Sequence, residues 1–166
     1  MSDYLNEIRI LERPSKPRRK GLTCLVDHGP DKDGWMGLRG TEDFLDVSGQ
    51  FVDLVKLPTT QVLLYPREGV QRKIDLLKIY GIEVYTGGLL FEIAWLQKKT
   101  ISLFKGLKEI GCPTVEISEN FITLDAPERI QLIQEAIKQG LKVIYEYGRK
   151  YPKAMLHVDD IEREIK

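Results

Sequence analysis

Five short apolar segments recur along the chain at intervals of about 30 residues, the βαβ spacing. They are residues 22–27 (LTCLVD), 51–57 (FVDLVKL), 82–87 (IEVYTG), 114–119 (TVEISE) and 141–147 (LKVIYEY). Each is rich in β-branched or aromatic residues and bounded by Gly or Pro, which is how strands read. Segments with helical periodicity lie between them. Residues 67–80 place Val70, Ile74, Leu77 and Ile79 along one face, and residues 89–110 are long and apolar with a break at 98–100. Residues 126–139 follow Asp125 as N-cap, carry Pro127 in the first turn and stop before Gly140. A last helix is expected over residues 158–165, and residues 41–48 offer only a short one after a Gly-rich loop at 30–41. Strand and helix thus alternate five times, which predicts right-handed crossovers and a parallel α/β sheet. A doubly wound sheet and a (β/α)8 barrel are both compatible with this order.

Composition excludes several classes. The chain has 166 residues, 42 % apolar and 30 % charged, with 25 basic and 25 acidic side chains. That balance fits one globular domain and not a disordered chain. Zero net charge argues against a general nucleic-acid binder. No apolar run approaches the roughly 20 residues that span a bilayer, and the start has no secretory h-region. Two cysteines, Cys24 and Cys112, read as free thiols in a reducing compartment, so a cytoplasmic location is expected. Residues 1–20 read as a basic arm in which Arg13, Lys16, Arg18, Arg19 and Lys20 crowd together. The arm is either a solvated segment or a site for an anionic ligand.

Parallel sheets bind ligands outside the carboxyl ends of their strands. That edge carries Asp27-His28-Gly29, Lys56, Gly87-Gly88 with Glu92 one turn on, Glu116 with Ser118-Glu119-Asn120, and Glu146 running into Gly148-Arg149-Lys150. Ionisable groups gathered at one end of successive strands point to a mixed acidic and basic site. Such a site suits a small anionic substrate held by Lys and Arg, with a divalent metal held by carboxylates. Singly, each residue has a structural reading: Asp27 as a helix cap, Lys56 paired with Asp53 or Glu116, Glu92 as an ordinary helix carboxylate. Gly87-Gly88 opening a helix makes an anion cradle or a tight turn. Neither a phosphate loop nor a dinucleotide fingerprint occurs. The calcium-loop pattern from Asp31 breaks at Trp35 and Met36, and His28 and His157 are too isolated for a zinc site.

The motifs KPRRKGLT (16–23) leading into VDHG, GQFVDLVK (49–56), GGLLFE (87–92), VEIS (115–118) and EYGRK (146–150) follow one another in this order. As an ordered set they resemble the phosphosulfolactate synthases of coenzyme M biosynthesis and their sulfolactate-forming relatives. The resemblance implies a (β/α)8 TIM-type barrel, of which residues 21–166 supply about five units. It implies a Mg2+-dependent lyase-type addition of sulfite to phosphoenolpyruvate, giving 2-phospho-3-sulfolactate. By the same resemblance Lys150 is the general acid, and Lys16, Arg18, Lys56, Gly87, Gly88 and Arg149 hold the anionic substrates. Asp27, Glu92, Glu116 and Glu146 are the metal or orienting candidates. The chain departs from the family at Leu57-Pro58-Thr59-Thr60-Gln61, at Leu89 and at Glu119-Asn120, where glycines and a hydroxyl are usual. A barrel of this type typically takes about 250 residues. A fragment, a short homologue that pairs with a second copy or another chain to cover its barrel edges, and a decayed gene are all compatible with the shorter length. Two functions therefore stay open: the synthase, and a non-catalytic or substrate-switched relative that binds an anion or partner, as in the heat-stress-associated proteins.

Overall fold

A computed structural model describes residues 13–28 and 37–148. The order is β1 (Cys24–Val26), α1 (Leu38–Ser48), a 3-10 turn (Gly49–Phe51), β2 (Leu54–Leu57), α2 (Thr59–Leu64), α3 (Arg67–Ile79), β3 (Glu83–Thr86), α4 (Gly88–Leu96), α5 (Thr100–Glu109), β4 (Thr114–Ile117), α6 (Ala126–Lys138) and β5 (Lys142–Tyr145). The strands form one sheet in the order β1-β2-β3-β4-β5, every pair parallel. Unbroken sequential order is the winding of a barrel, because a doubly wound sheet reverses midway. The sheet is not closed: among the described residues, β1 and β5 each pair on one side only.

Strand parity sorts the two faces. Val55, Leu57, Val84, Val115 and Ile117 are fully buried against the helix layer with Ile74, Leu77, Phe91, Phe104 and Leu107. Their alternate neighbours, Cys24, Lys56, Glu83, Tyr85, Thr114, Glu116 and Lys142, share the other, concave face, as the side-chain period of two requires. Contacts on that face skip a strand and climb. Cys24 is level with Glu83 through Leu54, yet its Sγ lies 3.0 Å from the hydroxyl of Tyr85, further along β3. Lys56 is level with Thr114 through Tyr85, yet its Nζ lies 2.7 Å from Glu116 Oε1. Tyr85 is level with Lys142 through Thr114, but it is the earlier Glu83 that bonds Lys142, at 2.6 Å. In each case the climb is two residues over two strands. One residue per strand is the stagger of an eight-stranded barrel with a shear of about 8. The described part of the chain is an arc of such a barrel.

The helices follow their sequence signals with some differences. Asp125 Oδ1 accepts the Glu128 amide at 2.8 Å and Pro127 sits in the first turn of α6. The long apolar segment breaks between α4 and α5, where Lys98 adopts a left-handed φ of 56°. Val70, Ile74 and Leu77 are buried in α3, whereas Ile79 is 79 % exposed, because it lies two residues off their stripe. Helix α2 was not expected. Its six residues are too few to show a period. No described helix is long and apolar enough to cross a membrane. The expected helix at 158–165 and most of the loop at 30–41 lie outside the described residues.

Candidate functional site

Lys56 is the centre of the site. It stands near the carboxyl end of β2, facing the concave side because its neighbours Val55 and Leu57 face the core. Its ammonium bonds Glu116 Oε1, which also accepts the Gly88 amide at 2.7 Å. A cation from β2, a carboxylate from β4 and the first amide of α4 thus meet at one oxygen. The positive end of a helix dipole adds to the same place. Glycine is required at position 88, where a Cβ would stand 2.2 Å from Ser118 Oγ, whereas one on Gly87 would stand 3.2 Å from Lys56 Cε. Under the ammonium lies Tyr85, its ring centroid 5.8 Å from Nζ. Burial, and then the bond with Cys24, push the Tyr85 phenol far above its ordinary range.

Glu92 has a different task. From the second turn of α4 it accepts the hydroxyl of Ser118, the amide of Asn120 at 2.9 Å and, on its other oxygen, the amide of Phe121 at 2.7 Å. It therefore fastens the loop that follows β4. The Asn120 side chain reaches Glu92 Oε1 at 3.4 Å and donates to Glu146 Oε2 at 3.1 Å, linking the ends of β4 and β5. Sequence reasoning noted Ser118 and Asn120 as parts of the rim but not as the joints between its carboxylates.

Three candidates lie elsewhere. Asp27 has the parity of Leu25, so it points into the helix layer and not into the mouth, and it is fully buried. There it pairs with Lys73 of α3, which also donates to Gln61 Oε1 at 3.1 Å. Gln61 Nε2 in turn donates to the Asp27 carbonyl at 3.2 Å. Lys73 and Gln61 were missed, although a lysine on the same helical face as Val70, Ile74 and Leu77 signals a buried partner. Burial pulls the Lys73 pKa down, and Asp27 offsets part of that. Lys16 and Arg18 sit at the opposite edge, by the amino ends of the strands. Lys16 Nζ donates to the carbonyls of Gly49 at 2.7 Å and Tyr80 at 3.0 Å, the residues that cap α1 and α3. A cation suits those carbonyls because helix carboxyl ends carry partial negative charge. Arg18 pairs with Asp53 at 2.7 Å, and Arg13 bonds the Phe51 carbonyl at 3.0 Å. From Arg13 to Arg18 the basic arm is therefore a clasp under the barrel, and convergence of all the candidates on one rim does not occur. Arg149 and Lys150 lie outside the described residues.

The carboxylates also limit how a metal is held. Among the described residues no group of three His, Cys, Asp or Glu side chains is placed to hold an ion. Glu92 has both oxygens engaged by the loop and Asp27 is paired with Lys73. Glu116 Oε2, in contrast, makes no hydrogen bond to the described residues, while its partner oxygen anchors Lys56. A single carboxylate oxygen beside the Lys56 ammonium is compatible with Mg2+, which usually takes one or two carboxylates and fills its shell with water and other oxygens, and does not by itself make a metal site.

Comparison with known proteins places the chain in a family. Residues 11–166 match the sequence model of (2R)-phospho-3-sulfolactate synthase (ComA). A phosphosulfolactate synthase of Methanothermobacter thermautotrophicus is 33 % identical over 156 residues, covering 93 % of this chain and 58 % of that protein. The phosphosulfolactate synthase of Methanocaldococcus jannaschii is 33 % identical over 86 % of this chain and 55 % of its own length. That of Bacillus subtilis is 29 % identical over 90 % of this chain and 55 % of its own length. The chain thus spans little more than half the length of these relatives. On a match that runs through every described strand and helix, the chain belongs to the phosphosulfolactate synthase family.

Proposed function

We propose that this chain carries the substrate-binding rim of a phosphosulfolactate synthase and that its reaction is the addition of sulfite to phosphoenolpyruvate. The observation that supports the reading is the meeting of Lys56, Glu116 and the Gly88 amide at the carboxyl ends of β2 to β4. Attack by the sulfur lone pair on the methylene carbon forms the C–S bond and drives the C=C electrons toward the substrate carboxylate. The enediolate-like charge that develops needs fixed positive groups beside it. Lys56 and the start of α4 supply them. Glu116 orients Lys56, and Mg2+ held at Glu116 Oε2 would add Lewis-acid stabilisation of the same charge. The neighbouring carbon then takes a proton, and Lys150, by its place in the EYGRK motif, is the proposed donor. Glu92 keeps the rim loop in place and touches no substrate.

The test incubates the purified chain with phosphoenolpyruvate, sulfite and Mg2+ and follows 2-phospho-3-sulfolactate by mass spectrometry. We expect product. Lys56→Ala should lower its rate by about two to three orders of magnitude, the usual cost of removing one charge-stabilising group. Lys150→Ala should abolish it while the circular dichroism spectrum stays unchanged. A folded chain that forms no product, or one indifferent to Lys56→Ala, overturns the reading and leaves an anion-binding relative without this chemistry.

A further inference from the structure

We propose that Tyr85 is a positioning residue for Lys56: its ring is the floor of the mouth and fixes where the ammonium meets the anionic substrate. The inference rests on the reading of Lys56 as the substrate-binding cation. Tyr85 is only 6 % exposed and lies on the concave face directly beside Lys56 in the β2–β3 register. The Lys56 side chain is confined on three sides. Gly87 closes over its stem, where even a Cβ would stand at 3.2 Å. Glu116 holds its tip at 2.7 Å, and the Tyr85 ring lies 5.8 Å beneath Nζ. The hydroxyl of Tyr85 is directed away from this cluster, toward Cys24 Sγ at 3.0 Å on β1. The hydroxyl thus stays clear of the cation, and the buried ring leaves it a face. Because burial and the Cys24 bond keep the phenol protonated, the attraction is that of a neutral ring's quadrupole and does not compete with substrate as a second carboxylate would. The surface beneath the Lys56 ammonium is therefore a neutral ring, and the next charged pair on this face, Glu83 with Lys142, is closed by its own 2.6 Å bond.

The experiment compares the full chain with its Tyr85→Leu and Tyr85→Phe variants. In lysine-labelled protein the Lys56 side-chain protons, assigned by their loss in Lys56→Arg, should show an upfield ring-current shift. That shift should persist in Tyr85→Phe and vanish in Tyr85→Leu. In the sulfite-addition assay Tyr85→Leu should raise KM for phosphoenolpyruvate roughly three- to thirtyfold, the range a partly desolvated cation–ring contact supports. Its kcat should fall as well, because the ammonium that Tyr85 positions is the one that stabilises the developing charge. Tyr85→Phe should match wild type in both constants. Unshifted Lys56 signals in the wild-type chain overturn the proposal without any variant. A KM unaffected by Tyr85→Leu overturns it as well. If the wild-type chain forms no product, the functional reading fails, while the resonance arm still decides whether Tyr85 holds Lys56.

Discussion

Gly88 concentrates more constraint than any other position at the rim. A methyl group there would overlap Ser118 at both Oγ and Cβ, at 2.2 and 2.5 Å, and press on Glu116 Oε1 at 3.0 Å. The Ser118 side chain has no easy retreat, because its hydroxyl is bonded to Glu92 and it is fully buried. Gly88→Ala should therefore destabilise the fold by about 1–3 kcal/mol, the usual cost of overpacking a tight site. It should also displace Glu116 from Lys56. A lowered urea midpoint with an unchanged m-value checks the first effect. Gly87→Ala should be milder, since the atom it meets is the far end of a lysine. Residue types and spacing in GGLLFE reveal that glycine opens a helix, but not that Ser118, some thirty residues on, fills the space above it. The positions of Lys16 and Arg18 were hidden for a similar reason. A cluster of cations in sequence does not say whether its partners are ligand oxygens or the carbonyls of Gly49, Tyr80 and Gln50.

At the scale of elements, α3 and β1 are joined by a buried ion pair. Lys73 and Asp27 are 4 % and 0 % exposed, and Gln61 of α2 bonds both residues. Removing one member of a buried ion pair is strongly destabilising, so Lys73→Met should cost about 3–5 kcal/mol. Replacing both, as Asp27→Asn with Lys73→Met, should recover much of that loss because apolar and neutral groups need no counter-charge. A double-mutant cycle by chemical denaturation measures the difference, and equal losses in the single and double variants would refute the pairing argument. Strand parity made much of this arrangement legible. In VDLVKL the alternation places Lys56 opposite Val55 and Leu57, and in TVEI it places Glu116 opposite Val115 and Ile117. The same alternation in LTCLVD puts Asp27 on the side of Leu25, away from the mouth. Pairing Asp27 with Lys73 required knowing which helix packs behind β1, a long-range relation that periodicity does not encode.

Across the whole molecule, acidic groups tie its separate levels together. Asp53 holds the clasp below the barrel, bonded by Arg18 and by the Thr23 amide at 2.9 Å. Glu83 joins β3 to Thr114 and Lys142 on the concave face, and Glu119 joins the rim loop to Arg129 and Tyr145 in the outer layer. Burial alone would raise all three carboxyl pKa values. Hydrogen bonds and neighbouring cations outweigh it, so each lies below its ordinary value: for Asp53 the Thr23 amide, Arg18 and Arg13, for Glu83 Lys142 and Thr114, and for Glu119 the Leu124 amide, Tyr145 and Arg129. A carboxylate with a depressed folded-state pKa binds fewer protons folded than unfolded. Its stabilisation is present above the unfolded value, about 4, and is lost as pH falls through the folded one. Stability should therefore change little from these groups between pH 7 and 5 and drop steeply below about 4, each group adding at most about 1.4 kcal/mol per pH unit to the slope. Asp53→Asn should be less stable than wild type at pH 7 and should flatten the acid limb. The two proteins should converge as the pH approaches the folded-state pKa of Asp53 and the wild-type carboxylate takes up its proton. Urea unfolding at a series of pH values measures both curves, and parallel curves down to pH 2 would show that the clasp does not draw its strength from this charge.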